Sequence, residues 1–444
     1  MIRFFKQLYL NNRFFQAVAV IVVLFILAFF FPFLVPIPKV LFFILSALAV
    51  IDAARLSRVK KGIEGRRITP DKLSNGDQNM IQVDVHNVYP FRVELKIIDE
   101  IPHQFQLRNQ SFSLQLPSTK TESLTYALRP VKRGEYSFGA LNIFVRTGLG
   151  LVSRRFRFSE DKMVPVYPSF IQMRKYELMA ISNRLVELGI KKIRKIGHNL
   201  EMESIKEYVV GDDYRTINWK ATARKGELMV NNYQDEKSQQ VYSLVDKSRV
   251  MQMPFEGMSL LDYAINASLV ISNIAVKKED KAGLITFQHK IGTLLPASSR
   301  NNQVQLIMQA LYNQKTAFKE ADYSTLYAMA RRKITQRSLL LLYTNFETLS
   351  GMYRQLPYLL NLAKFHLLVV IFFKNTELDE LLNQKAEKTR NIYRKAIAEK
   401  LAYEKHMIMK ELANHGIQSI LTAPKHLTVN TINKYLELKA RGLI

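Results

Sequence analysis

The feature that most restricts the fold of this chain is an uncharged apolar run near its start. Residues 14–31 read FFQAVAVIVVLFILAFFF, which is close to the ~20 residues that a membrane-spanning helix needs. The overlapping segment FPFLVPIPK contains three prolines, which are expected to end this helix in a short turn. A second apolar run from Val40 to Ile51 is predicted to form the weaker arm of a helical hairpin. A signal peptide is not favoured, because no small-residue cleavage site follows the first run.

Basic residues flank both ends of the predicted hairpin, whereas its turn holds only Lys39. Cytoplasmic segments of membrane proteins carry the excess of lysine and arginine. We therefore predict a multi-pass protein of the inner membrane, with both ends of the hairpin and the soluble domains on the cytoplasmic side. The flanking basic residues are Arg3, Lys6, Arg13, Arg55, Arg58, Lys60, Lys61, Arg66 and Arg67.

The remainder of the chain changes pattern twice. From about residue 66 to 168, short runs such as MIQVDVHNV and VELKIIDEI alternate apolar and polar residues between Asn, Gly, Pro and Ser, which predicts an all-β antiparallel sandwich. From residue 237 onward, continuous apolar strands alternate with amphipathic helices. That alternation indicates a doubly wound α/β domain with helices on both faces of a parallel sheet. A tight hairpin near residues 288–290 is expected to add an antiparallel edge strand.

These patterns predict a multidomain chain, since 444 residues are too many for one ordinary core. The predicted segments are a transmembrane hairpin with basic flanks (1–60), a β-sandwich (66–168), a basic linker with a signature segment (169–236) and an α/β domain (237–444).

The signature segment contains a Gly-Asp-Asp turn, the only tryptophan and several cations. One interpretation makes Trp219 a buried anchor covered by Lys and Arg stems, with the acids ion-paired to those cations so that they fix a turn. The other makes the segment a partner-binding surface. Paired catalytic carboxylates are less favoured, because cations follow the acids closely. The residues singled out are Gly211, Asp212, Asp213, Arg215, Asn218, Trp219, Lys220 and Arg224.

The same segment closely resembles the bacterial family known as domain of unknown function number fifty-eight. The resemblance rests on Glu207-Tyr208, the Gly-Asp-Asp turn, Ile217-Asn218-Trp219 and Ala221 through Arg224, and it continues into Asp246, Ser248 and Met251. It implies that the α/β domain is similar to a von Willebrand factor type A domain. It also implies protein partners, namely a MoxR-type AAA+ ATPase and other type A domain proteins, in a chaperone-like or envelope-related complex.

The type A resemblance further implies a Mg²⁺ site above the first strand, built from an Asp-x-Ser-x-Ser loop. This chain keeps Asp246 and Ser248, but Val250 stands where the second serine belongs. Because Mg²⁺ demands near-octahedral oxygen coordination, this degenerate site is expected to bind the ion weakly or not at all. No other cofactor is expected. The remaining candidate donors are Ser324 or Thr325 in a second loop, and Asn345 or Glu347 after a later strand.

Composition and motifs narrow the function. The chain has no cysteine, and it lacks the glycine loops and the H-E-x-x-H or G-x-S-x-G patterns of common enzymes. We therefore expect a non-enzymatic, membrane-anchored interaction protein of adaptor or chaperone-like type. The net charge of +26 leaves open a binder of nucleic acid or anionic lipid surfaces, although the aromatic residues are too sparse for a stacking platform and nucleic acid is not the expected partner. A hydrolase using Asp212, Asp213 or Asp246 is the third alternative.

Overall fold

A computed structural model describes residues 7–107, 110–158, 161–181, 201–210, 212, 214–234, 238–316, 318–383 and 389–443. Gly211, Asp213 and the basic run at 191–195 lie outside the described residues. The chain divides into two compact units, Met1–Tyr167 and Pro168–Ile444.

The first unit begins with a helical hairpin. Helix α1 (Asn12–Phe30) and helix α2 (Pro36–Ser57) are joined by a 3₁₀ turn at Pro32–Leu34. Both helices are long and apolar enough to cross a membrane, by length and composition. The prediction of a weaker second arm is wrong, because α2 has 22 residues and α1 has 19. The helix accommodates two prolines in its first turn, where their missing N–H groups are not needed.

The rest of the first unit is made of short β-strands, as the alternating pattern predicts. A five-stranded sheet has the order β1-β10-β9-β5-β6, and two three-stranded sheets have the orders β2-β4-β7 and β3-β11-β8. Their apolar faces enclose one core, which includes Ile81, Ile97, Phe138 and Ile143. The strands are β1 (Leu8–Leu10), β2 (Ile63–Ile68), β3 (Leu73–Ser74), β4 (Asn79–Asn87), β5 (Val93–Asp99), β6 (Ser111–Leu116), β7 (Thr121–Leu128), β8 (Gly134–Phe138), β9 (Leu141–Arg146), β10 (Val152–Phe158) and β11 (Lys162–Tyr167).

The loop between β9 and β10 holds the hairpin to these strands. Asp52 of α2 is fully buried and accepts hydrogen bonds from the Thr147 hydroxyl and from the backbone N–H groups of Leu151 and Val152, the latter two at 3.0 Å. Arg154 donates to the carbonyl oxygens of Leu56 (2.8 Å), Val59 (2.7 Å) and Lys60 (2.9 Å) at the end of α2. Such a cation satisfies the last carbonyl groups of a helix.

The second unit is built on a six-stranded sheet with the order β18-β17-β14-β19-β20-β21. All pairs are parallel except the β17–β18 hairpin at one edge, so the predicted parallel sheet and antiparallel edge strand are confirmed. Separate apolar clusters pack on its two faces. The strands are β12 (Glu201–Glu207), β13 (Met229–Gln234), β14 (Gln240–Asp246), β15 (Pro254–Phe255), β16 (Met258–Ser259), β17 (Lys281–Phe287), β18 (Ile291–Ser298), β19 (Leu339–Tyr343), β20 (Leu367–Phe373) and β21 (Gln418–Thr422).

Most helices of this unit fall between the strands of the sheet, as the alternating pattern predicts. Polar residues begin several of them: Ser259 and Asp262 form a capping box at α5, and Thr348 caps α8. The helices are α3 (Phe170–Ile181), α4 (Trp219–Lys225), α5 (Leu260–Lys277), α6 (Gln303–Tyr312), α7 (Tyr323–Lys333), α8 (Leu349–Phe365), α9 (Thr376–Asn383), α10 (Thr389–Asn414) and α11 (Leu427–Ala440).

Candidate functional site

The signature segment folds as an antiparallel pair, β12 and β13, with a 3₁₀ turn and α4 between them. Asn218 joins these pieces. Its side-chain oxygen accepts from the Ala221 N–H at 3.1 Å and so caps α4, while its amide donates to Asn231 Oδ1 at 2.8 Å. The Thr222 hydroxyl accepts from the Met229 N–H at 3.0 Å. The polar residues of the signature therefore hold its backbone in shape.

Asp212 also has a structural role. Its carboxylate accepts from Lys206 Nζ at 2.9 Å and from the Val209 N–H at 3.1 Å. The Lys206 hydrogen bond, followed by that of Val209, holds the pKa of Asp212 below its usual value. Ion pairing at this turn was expected, but with Arg215, Lys220 or Arg224 as the cation, and the structure places Lys206 on Asp212 instead. Lys206 was not considered as the partner of Asp212 because it precedes the turn, near the end of strand β12.

The apolar residues of the signature are exposed. Trp219 is 69% exposed, Tyr214 is 68% exposed and Val210 is 96% exposed. The interpretation of Trp219 as a buried anchor is therefore wrong. α4 has only seven residues, and the contacts that hold it come from Asn218 and Thr222, so the indole is left in solvent.

Cations accompany these exposed side chains. Arg215, Lys220 and Arg224 are exposed as well, and the guanidinium of Arg215 lies 5.7 Å from the ring centroid of Tyr214. We call these exposed residues the signature surface, which comprises Val210, Tyr214, Arg215, Trp219, Lys220 and Arg224. Large exposed apolar side chains beside polar ones are typical of interaction sites.

A second candidate site lies at the carboxyl ends of the parallel strands. Asp246 ends β14, which lies between β17 and β19, and its side chain is fully buried. One carboxylate oxygen accepts from the Ser248 N–H at 2.8 Å, and the other accepts from the Thr344 hydroxyl at 2.7 Å. The Tyr323 hydroxyl lies 2.8 Å from the Thr344 oxygen. A chain of hydroxyl groups thus runs from Tyr323 through Thr344 to Asp246.

This environment shifts two pKa values. Burial raises the pKa of Asp246, although the hydrogen bonds from Ser248 and Thr344 act in the opposite direction. Burial also raises the pKa of Tyr323 well above its usual value, with a further contribution from the negative charge of Asp246. The phenol therefore stays protonated and remains a hydrogen-bond donor to Thr344.

The other predicted metal donors have different partners. The hydroxyls of Ser324 and Thr325 both donate to Asp322 at 2.6 Å, and Asp322 caps α7 by accepting from their backbone N–H groups. These hydrogen bonds lower the pKa of Asp322. The structure thus brings Asp246 and Ser248 together, but it directs Ser324 and Thr325 to Asp322.

Asn345 and Glu347 complete the comparison with a Mg²⁺ site. Asn345 Oδ1 accepts from Lys405 Nζ at 2.7 Å, and Glu347 is exposed. Both oxygens of Asp246 already accept hydrogen bonds, and the Val250 side chain has no oxygen that could bind a metal ion. In the part of the chain that the structure describes, no group of three or more His, Cys, Asp or Glu residues could hold a metal ion. With Val250 in place of a serine, Asp246 and Ser248 supply few oxygen ligands for the near-octahedral shell of Mg²⁺, so weak or no binding remains the expectation.

Sequence reasoning missed three residues here. Tyr323 and Thr344 each directly precede a position that was considered as a metal ligand, Ser324 and Asn345. The Asp-x-Ser-Thr pattern beginning at Asp322 is the one local signal, and it indicates a helix cap. The sequence did not distinguish Lys405 from the other lysines of α10, because this helix has charged residues all around its axis, as in the run TRNIYRKAIAEKLAYEK. Its contact with Asn345 joins residues 60 positions apart.

Comparisons with known proteins agree with the resemblance of the signature. The family model "Protein of unknown function DUF58" matches residues 204–379, which is less than half of the chain. The uncharacterized protein YeaD of Bacillus subtilis (strain 168) is 28% identical over 192 residues, which cover 41% of this chain and 47% of that relative. The chain therefore spans about half the length of this curated relative.

Solved structures show only distant similarity. The conserved hypothetical protein BatB from Bacteroides thetaiotaomicron is 16% identical with a TM-score of 0.31, covering 46% of this chain and 100% of that one. Proximal thread matrix protein 1 from the mussel byssus is 11% identical with a TM-score of 0.27, covering 46% of this chain and 47% of that one. The PapD-like domain of human CEP192 has 14% identity and a TM-score of 0.19, covering 24% and 87%. At TM-scores below 0.5, these structures do not establish a shared fold.

Proposed function

We propose that this chain is a membrane-anchored interaction protein that docks a protein partner through the signature surface. The observation that carries the proposal is the exposure of Trp219 and Tyr214 on a segment whose polar residues are used to hold its backbone. Globular proteins normally bury most of the surface of large aromatic side chains and leave polar side chains exposed to solvent. Trp, Tyr and Arg are also the residues enriched at the energetic centres of protein interfaces.

The charge of the signature surface indicates the charge of the partner's binding surface. Arg215, Lys220 and Arg224 are exposed on the same segment as the exposed aromatic side chains, so we expect the complementary surface to be acidic, with an apolar pocket for the indole. Opposite charges at the edge of such an interface raise the association rate and favour one orientation.

The membrane anchor and the partner class complete the proposal. Helices α1 and α2 form the anchor, and the basic residues at the two ends of the hairpin favour a cytoplasmic body. The strand order of the second unit, with one antiparallel edge and an acid at the end of its β14 strand, is the order expected of a type A domain. The family resemblance then suggests a MoxR-type AAA+ ATPase as the partner, together with other type A proteins.

A binding role is also preferred to catalysis. The Asp212 carboxylate is held by Lys206 and Val209, and that of Asp246 is buried in hydrogen bonds to Ser248 and Thr344. In both arrangements the carboxylate is engaged in hydrogen bonds with the protein, so we propose structural roles for both acids.

The test is a cross-linking experiment on membranes that contain the full chain. Trp219→Ala and Tyr214→Ala are compared with wild type and with Tyr393→Ala, a control on α10 whose ring is 70% exposed. We expect one acidic protein, a MoxR-type ATPase, to be cross-linked by wild type and by the control. Its capture should fall by about thirtyfold with Trp219→Ala, which corresponds to the ~2 kcal/mol of an interface hot spot.

Two results would contradict the proposal. Equal capture of the same partner by wild type and by both aromatic variants would show that docking uses another surface. Binding to any polyanion or anionic vesicle, with an affinity that collapses steeply as salt rises, would favour the alternative of a nucleic-acid or lipid surface binder. Because Trp219 is exposed, its replacement should change the free energy of unfolding by less than about 1 kcal/mol, so loss of capture will not reflect misfolding.

A further inference from the structure

A cavity of about 260 Å³ lies at the carboxyl ends of strands β19 to β21, beneath helix α10. Its walls are mainly apolar and include Phe255, Leu260, Phe373, Leu401 and Leu421. Open α/β sheets bind their ligands at this edge, and small-molecule sites are typically apolar cavities with a few polar groups that orient the ligand. The cavity has no part in the signature surface.

Lys405 places a cation in this apolar wall. Its Nζ donates to Asn345 Oδ1 at 2.7 Å and to the Phe346 carbonyl oxygen, and it lies 5.9 Å from the ring centroid of Phe372. Both hydrogen-bond acceptors are neutral. An ammonium group has three protons to donate, so one proton remains for a ligand in the cavity.

Within the described ranges of the chain, Lys405 forms no ion pair with an acid. Among the residues that the structure describes, no carboxylate lies within ion-pair distance of its Nζ, and Glu347 lines the cavity from an exposed position. Burial lowers the pKa of Lys405 to about 8, and Glu347 opposes that shift only in part. Holding a cation in apolar surroundings costs free energy unless an anion accompanies it. A ligand with a carboxylate and an apolar tail would supply the missing anion and fill the cavity.

We propose that this cavity binds a small monocarboxylic acid, with its carboxylate on Lys405 and its aliphatic or aromatic tail among Phe255, Leu260 and Phe373. Asn375 and His406 also line the cavity and supply further polar groups that would orient the carboxylate. This inference is independent of the proposed docking function, since it concerns a different set of residues.

The test measures the acetylation rate of Lys405 in the full chain, reconstituted in lipid nanodiscs, by mass spectrometry of its peptides. Sodium hexanoate at about 10 mM, a concentration that detects millimolar affinity, should slow acetylation of Lys405 at least about fivefold. It should leave exposed Lys410 of the same helix unchanged. Hexan-1-ol, which has the same tail without the charge, should protect Lys405 much less.

Two variants test separately the contributions of the Lys405 cation and of the cavity volume to hexanoate binding. In ligand-observed NMR, Lys405→Met should weaken hexanoate binding at least about tenfold, whereas Lys410→Met should have no effect. Leu401→Trp keeps the cation but fills the cavity, so hexanoate should no longer protect Lys405. Thermal unfolding confirms that each variant is folded.

The proposal is overturned if hexanoate, 4-methylpentanoate and benzoate all fail to protect Lys405, or if they protect Lys405 and Lys410 equally. Unchanged protection in Leu401→Trp would place the ligand elsewhere. A peptide with a free C-terminal leucine that protects Lys405 where the three small acids fail would replace the proposal with peptide capture.

Discussion

Asp246 shows how a residue can be correctly located from sequence while its hydrogen-bond partners become visible only in the structure. It was identified as a metal ligand at the end of β14, and the structure does place it there. However, its two oxygens accept from Ser248 and Thr344, and the Tyr323 hydroxyl extends the chain. Both carboxylate oxygens of Asp246 thus accept hydrogen bonds from the protein itself.

These hydrogen bonds predict opposite effects for two substitutions. An acid whose folded pKa is raised loses stability as the pH rises above its unfolded value of ~3.9, so Asp246→Asn should unfold at the same or a higher temperature than wild type at pH 7. Its amide can donate to Thr344 while its oxygen accepts from Ser248. Asp246→Ala leaves both donors unsatisfied and should cost roughly 2–4 kcal/mol. Melting curves at pH 5 and pH 7 test this, and a strongly destabilised Asn variant would contradict it.

The same site gives a prediction for Mg²⁺. Because both Asp246 oxygens and the Thr344 hydroxyl are engaged in hydrogen bonds and Val250 supplies no oxygen ligand, calorimetric titration of the full chain with Mg²⁺ or Mn²⁺ should give no saturable, stoichiometric signal in the micromolar range. Partner capture should not change when the ion is chelated. A micromolar signal that Asp246→Ala abolishes would show that Ser324, Asn345 or Glu347 completes a metal site after all.

Lys405 predicts a pH dependence of stability. Its pKa is about 8 in the folded chain and ~10.4 when unfolded, so between these values the unfolded state binds more protons. The contribution of this group to the free energy of unfolding should therefore rise with pH across that window, by roughly 2–3 kcal/mol. Chemical unfolding of wild type and Lys405→Met at pH 7 and pH 10 isolates this term as the difference between the two proteins. A difference that is constant with pH would contradict it.

At the scale of elements, the β9–β10 loop holds the α1–α2 hairpin to the strands of the first unit. Asp52 satisfies the Thr147 hydroxyl and two backbone donors of this loop, and Arg154 satisfies the carbonyl groups at the end of α2. Gly150 adopts a left-handed φ of 66°, and a Cβ there would lie 2.8 Å from an Arg13 guanidinium nitrogen. In the sequence run Thr147-Gly-Leu-Gly-Leu151, the left-handed backbone and the nearby Arg13 side chain therefore explain why position 150 is a glycine.

Asp52→Ala should release this loop, because it leaves three buried donors without an acceptor. We expect the free energy of unfolding of the first unit to fall by roughly 3–5 kcal/mol, with new protease cleavage between residues 147 and 152. Limited proteolysis of the full chain in nanodiscs measures this. Glu64→Ala, at an exposed position, is the control and should be cleaved like wild type. If the Asp52 variant resists the protease as well as wild type does, Asp52 does not hold this loop.

At the scale of the whole molecule, the charge distribution determines the expected topology. The net charge of +26 includes the cations at the two ends of the α1–α2 hairpin, while its turn holds Lys39 alone. A reporter fused after Ile444 should therefore be active only in its cytoplasmic form. Introducing four lysines into the 32–39 turn should reduce that activity. Periplasmic activity of the original fusion would overturn both the orientation and the proposed partner compartment.

Much of the architecture could be predicted because it depends on local pattern. A run of apolar residues between basic flanks indicates a helical hairpin, and periods of two and 3.6 residues distinguish the strands of the first unit from the alternating elements of the second. Each such signal is contained within one element, so strands β14, β17, β19, β20 and β21 lie close to where their apolar runs predicted them.

The roles of single polar and aromatic side chains required the tertiary structure. Thr344 reaches Asp246 across 98 positions and Lys405 reaches Asn345 across 60, and no local pattern encodes such pairs. One of the two interpretations of the signature segment made Trp219 a buried anchor, but its side chain is exposed because the short helix α4 is held by Asn218 and Thr222 instead. Sequence periodicity reports how a backbone is wound, whereas burial and hydrogen bonding depend on which distant elements that backbone meets.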